Sequence, residues 1–233
     1  LIRDGRKIKG MRRTLEWLAS GAFEGKPSAV SHARNKRIPT LYIDQMESLE
    51  LAPLAALKPD ILLVAGFGII LKPLLLSLPR LGCVNCHSSL LPRHRGPNPY
   101  RAVVLADEPE TGVTFHVMTE GIDDGDILAQ YSFPLDPGDT AGFVFMKCNS
   151  LAHRHVVQVM DQIEQEGLRG QLQNPSEATY DKNLTEEQMF IDWFWPARRI
   201  EALVRACCPF SPARFRHGRH VVHVWQARYD ETP

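Results

Sequence analysis

The sequence predicts an α/β fold, an open sheet with helices on both faces, and three observations carry that expectation. Strand-like runs alternate with segments of helical periodicity from Ile38 to Glu166. Two of those runs, "DILLVAGFG" and "GCVNCHSS", read as strands covered on both faces rather than as the alternating strands of a half-solvated sheet. The third is the long amphipathic stretch from Ala141 to Glu166, which supplies a helix large enough to cover such a sheet.

Each element has its own local reason. After a basic opening, "MRRTLEWLASG" spaces Leu15, Trp17 and Leu18 as one helical face and stops at Gly21. "IPTLYID" is a short strand, and "SLELAPLAALKPD" is a helix ended by Lys58 and Pro59. "DILLVAGFG" and "GCVNCHSS" follow, the second running into the proline- and arginine-rich loop "LLPRHRGPNP". A helix over "YRAVVLAD" leads to strands "GVTFHVM" and "DILAQYSFPL", separated by the turn "EGIDDG". Asp139 or Thr140 caps the long helix, Phe143, Leu151, Val159 and Ile163 form its inner face, and Gly167 stops it. "QNPSEATYDKN" is a polar connector, "PARRIEALVRACCP" a helix bracketed by Pro196 and Pro209, and "HVVHVWQARY" a lone strand whose partners the chain does not supply. Residues 1–170 thus form the main domain, 171–215 a linker and helix, and 216–233 the start of an incomplete β subdomain.

Composition narrows the function. With 44% apolar and 23% charged residues, the 233-residue chain has the balance of a globular enzyme or binding protein. Its 27 basic and 27 acidic residues cancel, so no overall field recruits DNA, other nucleic acid or a membrane. The apolar run "ILLVAGFGIILKPLLLSLP" is broken by Lys72 and Pro73 and suits a buried strand and loop better than a span. Five cysteines in apolar segments favour reduced thiols and the cytoplasm. The chain opens on Leu1, which leaves room for a missing N-terminus. Oligomeric state is left open.

"CVNCH", from Cys83 to His87, has the spacing of covalent haem attachment. That chemistry needs an exposed helix-loop and a second axial ligand, whereas these cysteines flank a strand. Zinc would want a second pair, but Cys148 stands alone and Cys207 and Cys208 are adjacent. Small apolar fillers on a buried strand are the expectation for both thiols, with no haem and no metal. Without them the stretch becomes Asn85-x-His87 at the carboxyl end of a strand, where open α/β sheets bind ligands. An asparagine amide can donate to an oxyanion, and a histidine moves protons near neutrality. The glycine turn "GIDDGDIL" places Asp123, Asp124 and Asp126 before a strand, from which one carboxylate can reach the same crevice.

The linked motifs "NCHSSLLPRHRG", "TGVTFHVM" and "GIDDGDIL" resemble the 10-formyltetrahydrofolate-dependent formyltransferases. The family pattern Asn-x-His-x-Ser-Leu-Leu-Pro-x-x-Arg-Gly is matched at Asn85, His87, Ser89, Leu90, Leu91, Pro92, Arg95 and Gly96, and Asp-x-Gly-x-Ile at Asp123, Gly125 and Ile127. "ATYDKNLTEEQMFIDWFWPARRIEALVRACCPFSPARF" is similar to the linker and final helix of the methionyl-tRNA and amino-sugar branches. The resemblance implies a Rossmann-like open sheet. It also implies an opening strand that is not recognisable in Leu1 to Lys26, and a C-terminal barrel represented here by one strand.

Its implied chemistry is attack of a neutral amine on the formyl carbon of 10-formyltetrahydrofolate through a tetrahedral intermediate. His87 transfers the proton, Asn85 donates to the oxyanion, and Asp123 holds the imidazole or an ordered water. Ile69, Ile70 and Leu71 match the pterin-contacting segment, with backbone around Gly125 reading the ring edge. Ser89, Arg95 and Gly96 shape the loop over the acceptor cleft, which Pro97 and Pro99 stiffen. Neither metal nor covalent nucleophile is required. A hydrolase using water as acceptor, and a binding protein without catalysis, are the competing readings. Because the net charge is zero and basic residues gather only in "RDGRKIKGMRR" and "ARFRHGRH", a small-molecule amine, such as a sugar nucleotide, is expected slightly ahead of aminoacyl-tRNA.

Overall fold

The computed structural model describes residues 2–4, 29–43 and 46–229, so the helix expected over "MRRTLEWLASG" lies outside the described residues. The element order is β1 (Ile2–Asp4), α1 (Ala29–Asn35), β2 (Leu41–Ile43), α2 (Ser48–Ala56), β3 (Ile61–Ala65), α3 (Pro73–Leu76), β4 (Gly82–His87), α4 (Pro99–Leu105), β5 (Glu110–Val117) and β6 (Ile127–Pro134). It continues with α5 (Ala141–Glu166), α6 (Ala197–Cys207), β7 (Ala213–His217) and β8 (His220–Val224). Near the start of the chain Ile2–Asp4 forms a short strand that pairs in parallel with Leu41–Ile43, in a two-stranded sheet of their own. Its three residues, two of them charged, are too few for any periodicity to show.

The central sheet has the order β3-β4-β5-β6. Only β3 and β4 run parallel; β5 is antiparallel to β4, and β6 to β5. Alternation on β4 shows how the sheet is covered. Val84 packs on one face with Phe115, Val103, Val144, Cys148, Leu151, Val159 and Ile163, under α4 and α5. Cys83, one residue earlier, packs on the other with Ile43, Met46, Leu51, Leu71 and Leu75. Burying each such aliphatic side chain contributes roughly 1.5–3 kcal/mol, so β4 is held from both sides. β3 is not covered in the way its apolar run suggested. Among the described residues it stands at one edge of the four-stranded sheet, and Leu63 is 44% exposed.

α5 has the predicted bounds. Thr140 Oγ1 accepts from Phe143 N at 3.3 Å, and Gly167 ends the helix at φ +75°. Its inner face is Val144, Cys148, Leu151, Val159 and Ile163, whereas Phe143 turns outward, 44% exposed, with the Lys147 ammonium 4.9 Å from its ring centroid. Phe143 precedes Val144 by about 100° of helical rotation, which carries it off the apolar stripe. The lone terminal strand also finds a partner: β8 pairs antiparallel with β7, from Ala213 opposite Val224 to His217 opposite His220. The hairpin therefore begins at Ala213, before the expected boundary at 216. It packs on Met189, Ile191, Leu203, Val204 and Cys207.

Candidate active site

Asn85 and His87 lie two residues apart on β4 and so share a face, together with Cys83. Cys86 is on the other face, packed against the cluster that holds Val84. The two thiols of "CVNCH" therefore point to opposite sides of the sheet and cannot flank one haem or bind one ion. Both are free, and burial alone pushes their acidity away, Cys83 up to about 11 and Cys86 up to about 12. Among the described residues, no cluster of three or more histidines, cysteines and carboxylates has the arrangement of a metal site.

The β4–β5 register sets His116 opposite Asn85 and Thr114 opposite His87. Thr114 fixes the chain that leaves His87. Its hydroxyl donates to Ser89 O at 2.7 Å, and accepts from Leu91 N at 3.1 Å and from the Gln130 amide at 2.9 Å. Ser89 is fully buried, with its hydroxyl bonded to Arg93 O at 2.9 Å. It staples the loop from within. Arg95 is also buried, its guanidinium on Gln173 and Tyr180.

Asp123 comes to this crevice from the β5–β6 turn with φ +50°, a left-handed conformation that aspartate tolerates better than most residues. Gly125 lets the turn lie on β5, since a Cβ there would sit 2.0 Å from Val117 O. The carboxylate accepts from Gly96 N at 2.9 Å and from the Asn85 amide at 3.4 Å; it lies 3.4 Å from His116 Nε2 and 3.7 Å from His87 Nδ1. Thus Asn85, His87 and Asp123, predicted from separate motifs, converge on one point. Asp123, expected to hold the imidazole or an ordered water, makes no direct hydrogen bond to His87 and stands 3.7 Å from its Nδ1. His87 is instead oriented by its Nε2–H, which donates to His94 O at 2.8 Å.

Electrostatics separate the two groups. Burial raises the Asp123 carboxyl, but hydrogen bonding to His116, the charge of His87 and the Gly96 N–H outweigh it and hold it at about 2. Burial pushes the His87 imidazole below its usual value, with Asp123 opposing. At neutral pH this leaves a carboxylate facing a neutral imidazole whose Nδ1 lone pair is available to take a proton.

His116 was not singled out in the sequence, although it lies within the quoted "TGVTFHVM". Its Nδ1–H donates to Val117 O at 2.8 Å, and its Nε2 lies 3.2 Å from the Asn85 amide nitrogen. A register shift between Phe115 and His116 accompanies this placement. Of the proposed folate loop at the end of β3, Ile70 is 68% exposed and Ile69 half-buried. Leu71 turns into the core, 5% exposed, ahead of the Pro73 start of α3.

Residues 26–160 match the family described as formyl transferase, and residues 183–233 match its C-terminal domain. The chain belongs to the formyl transferase family. It is 37% identical, over 75% of its length, to the methionyl-tRNA formyltransferase of Marinobacter nauticus, and 39% identical, over 79%, to that of Pseudomonas fluorescens. Those alignments cover 56% and 58% of the two relatives, so the chain spans little more than half the length of the curated relatives it matches. Among solved structures it resembles a sugar N-formyltransferase from a Shewanella species, at TM-score 0.69 and 19% identity, covering 99% of this chain and 98% of that one. A methionyl-tRNA formyltransferase from Clostridium thermocellum gives TM-score 0.67 and 17% identity, covering 100% and 93%. At those identities the likeness speaks for the fold.

Proposed function

We propose that the chain transfers a formyl group from 10-formyltetrahydrofolate to the amine of methionyl-tRNA. The observation that carries the transfer is the convergence of Asn85, His87 and Asp123 at the strand ends; the relatives at 37% and 39% identity supply the acceptor. This reverses the order expected from charge, which put a small amine first. A net charge of zero averages over the chain and hides local asymmetry: Arg216, His217, Arg219 and His220 are all exposed around the tip of the β7–β8 hairpin.

In the reaction the acceptor nitrogen bonds to the formyl carbon, the carbon–N10 bond breaks, and one proton passes from the amine to N10. His87 Nδ1 accepts the amine proton, and Asp123 stabilises the imidazolium so formed. Asn85 donates to the developing oxyanion by giving up its weaker hydrogen bond, the 3.4 Å one to Asp123. Catalytic contacts of this kind are commonly long before substrate binds and tighten with it. The residues at hand suit the donor: Ile70 offers an exposed apolar surface at the end of β3, beside β4, where Ala65 pairs with Cys86.

The test is formylation of initiator methionyl-tRNA against a panel of amino-sugar nucleotides, with 10-formyltetrahydrofolate as donor, at two salt concentrations. Salt-sensitive formylation of the tRNA alone supports the reading. Formylation of an amino sugar, or release of formate without any acceptor, overturns the choice of acceptor.

A further inference from the structure

The polar connector that follows the main domain begins with a residue that is not solvated. Gln173 is 8% exposed, and its side chain makes four hydrogen bonds. Its amide nitrogen donates to the carbonyls of Asp123 at 2.8 Å and Gly125 at 2.7 Å, on either side of the left-handed turn that delivers the carboxylate. Its amide oxygen accepts from Arg95 Nε at 3.1 Å and Nη2 at 2.7 Å. A guanidinium has no acceptor, so this pairing fixes which end of the amide is oxygen and aims the NH2 at the turn. Arg95 is itself set by the donation of Nη1 to Tyr180 OH at 2.7 Å, and by backbone pairing of its N–H with Thr179 O and its carbonyl with Asp181 N, both at 2.9 Å. Its neighbour Gly96 donates to the Asp123 carboxylate. Asp123 is thus gripped at its backbone by the connector and at its side chain by the motif loop, and Gln173 with Arg95 joins the two.

We propose that Gln173 is a positioning residue for the reaction. By fixing the carbonyls of Asp123 and Gly125 it sets the distance between the Asp123 carboxylate and His87, and Arg95 acts by fixing the orientation of Gln173. The inference rests on the role of Asp123 given above. With 3.7 Å between the carboxylate and His87 Nδ1 and no hydrogen bond between them, nothing within the pair fixes that distance, so it is left to the groups that hold the turn.

The experiment uses the full chain with Gln173→Met, which keeps length and volume but removes all four hydrogen bonds, Gln173→Glu, which keeps an acceptor for Arg95 but turns oxygens on the two carbonyls, Asp123→Asn, and the Asp123→Asn/Gln173→Met double variant. Kinetics of methionyl-tRNA formylation are joined to an NMR titration of His87, which needs no acceptor. His87 is faced by Asp123 from the turn, His116 from β5 and His94 from the motif loop. Gln173→Met and Gln173→Glu should each lower kcat on the order of 10- to 100-fold, with little change in KM for the folate. Gln173→Met should move the His87 midpoint to lower pH, as Asp123→Asn does. In the Asp123→Asn background, Gln173→Met should cost less than about twofold, the non-additivity expected of two residues acting through one group. Parental kcat in both Gln173 variants, an unmoved His87 midpoint, or full additivity overturns the proposal; should Gln173→Met not fold, Gln173→Glu carries the same comparison. If Asp123→Asn is itself fully active, the reading of the site is wrong and this inference goes with it. An inactive Asp123→Asn beside active Gln173 variants sinks the inference alone.

Discussion

His87 and His94 are joined by a hydrogen bond from the ring of one to the backbone of the other: His87 Nε2–H donates to His94 O at 2.8 Å. Because a carbonyl only accepts, the neutral imidazole carries its proton on Nε2 and presents the Nδ1 lone pair toward Asp123. The loop that follows His87 thereby sets the tautomer of the histidine that begins it. The same carbonyl also receives the Ser89 hydroxyl at 3.3 Å, which ties the buried serine to this arrangement.

Single alanine replacements of Asn85, His87 and Asp123 should each reduce formyl transfer on the order of 100-fold or more, the usual loss for a proton-transfer or oxyanion group. His87→Ala should still bind folate, measured by quenching of protein fluorescence or by calorimetry. Retention of activity within about tenfold of the parent at all three positions would show that the crevice is not where the chemistry happens.

Replacing Cys83 and Cys86 with alanine should leave activity near the parental level. The thiols lie on opposite faces of β4, and their raised pKa values keep them protonated at neutral pH. The cost falls on packing, about 1–3 kcal/mol in denaturant unfolding, larger for fully buried Cys83 than for half-buried Cys86. A Soret band, or a stoichiometric metal lost with the thiols, would contradict this.

Acid should weaken the fold in two steps. His87 is held below its ordinary value of 6.5 when folded, so the unfolded chain binds its proton first and stability falls as pH drops below about 6.5. Asp123 goes from the ordinary carboxyl value of 3.8 to about 2 on folding; its contribution is complete above about 4 and is lost as pH falls toward 2. The second step is worth about 2 kcal/mol. Unfolding by urea at a series of pH values should show both, and Asp123→Asn should remove the lower one while leaving the loss below about 6.5. A variant with an unchanged acid limb would place the titration elsewhere.

Much of the site could be read from the sequence because its residues sit in contiguous motifs whose spacing is set by one strand or one turn. Asn85 and His87 are two apart on β4, and Asp123 lies in a glycine turn. What was hidden depends on pairing between distant segments. His116 enters through the β4–β5 register, and nothing local distinguishes it from any histidine in a strand. Gln173 opens a stretch whose asparagine, proline, serine and glutamate read as solvent-facing, and its burial comes from contacts with the Asp123 turn and Arg95, both distant in sequence. In the fold, the same limit applies. The edge position of β3 and the partner of β8 are facts of sheet order, whereas the bounds of α5 rest on Thr140 and Gly167, which act locally.

Gly125 gives a test of the turn that leaves every functional side chain in place. A Cβ on Gly125 would fall 2.0 Å from Val117 O and 2.9 Å from Val117 C, backbone atoms of β5 that have no flexible end to swing aside. The turn must then lift from the strand. Lifting it pulls on the bonds from Gln173 to the carbonyls of Asp123 and Gly125, on the Gly96 N–H to the carboxylate, and on Val117 N to Asp126 O at 2.9 Å. Gly125→Ala should therefore lose about 1–3 kcal/mol of stability as an overpacked site, and activity by a larger factor than that loss explains, because the shift displaces Asp123 from His87. Gly138→Ala is the matched control: nothing lies within 4 Å of its Cβ position, its φ is not in the left-handed region, and the change should be close to neutral. Thermal unfolding beside kcat for both variants decides the point, since a Gly125→Ala protein with parental activity would mean that the turn does not need its contact with β5 to place Asp123.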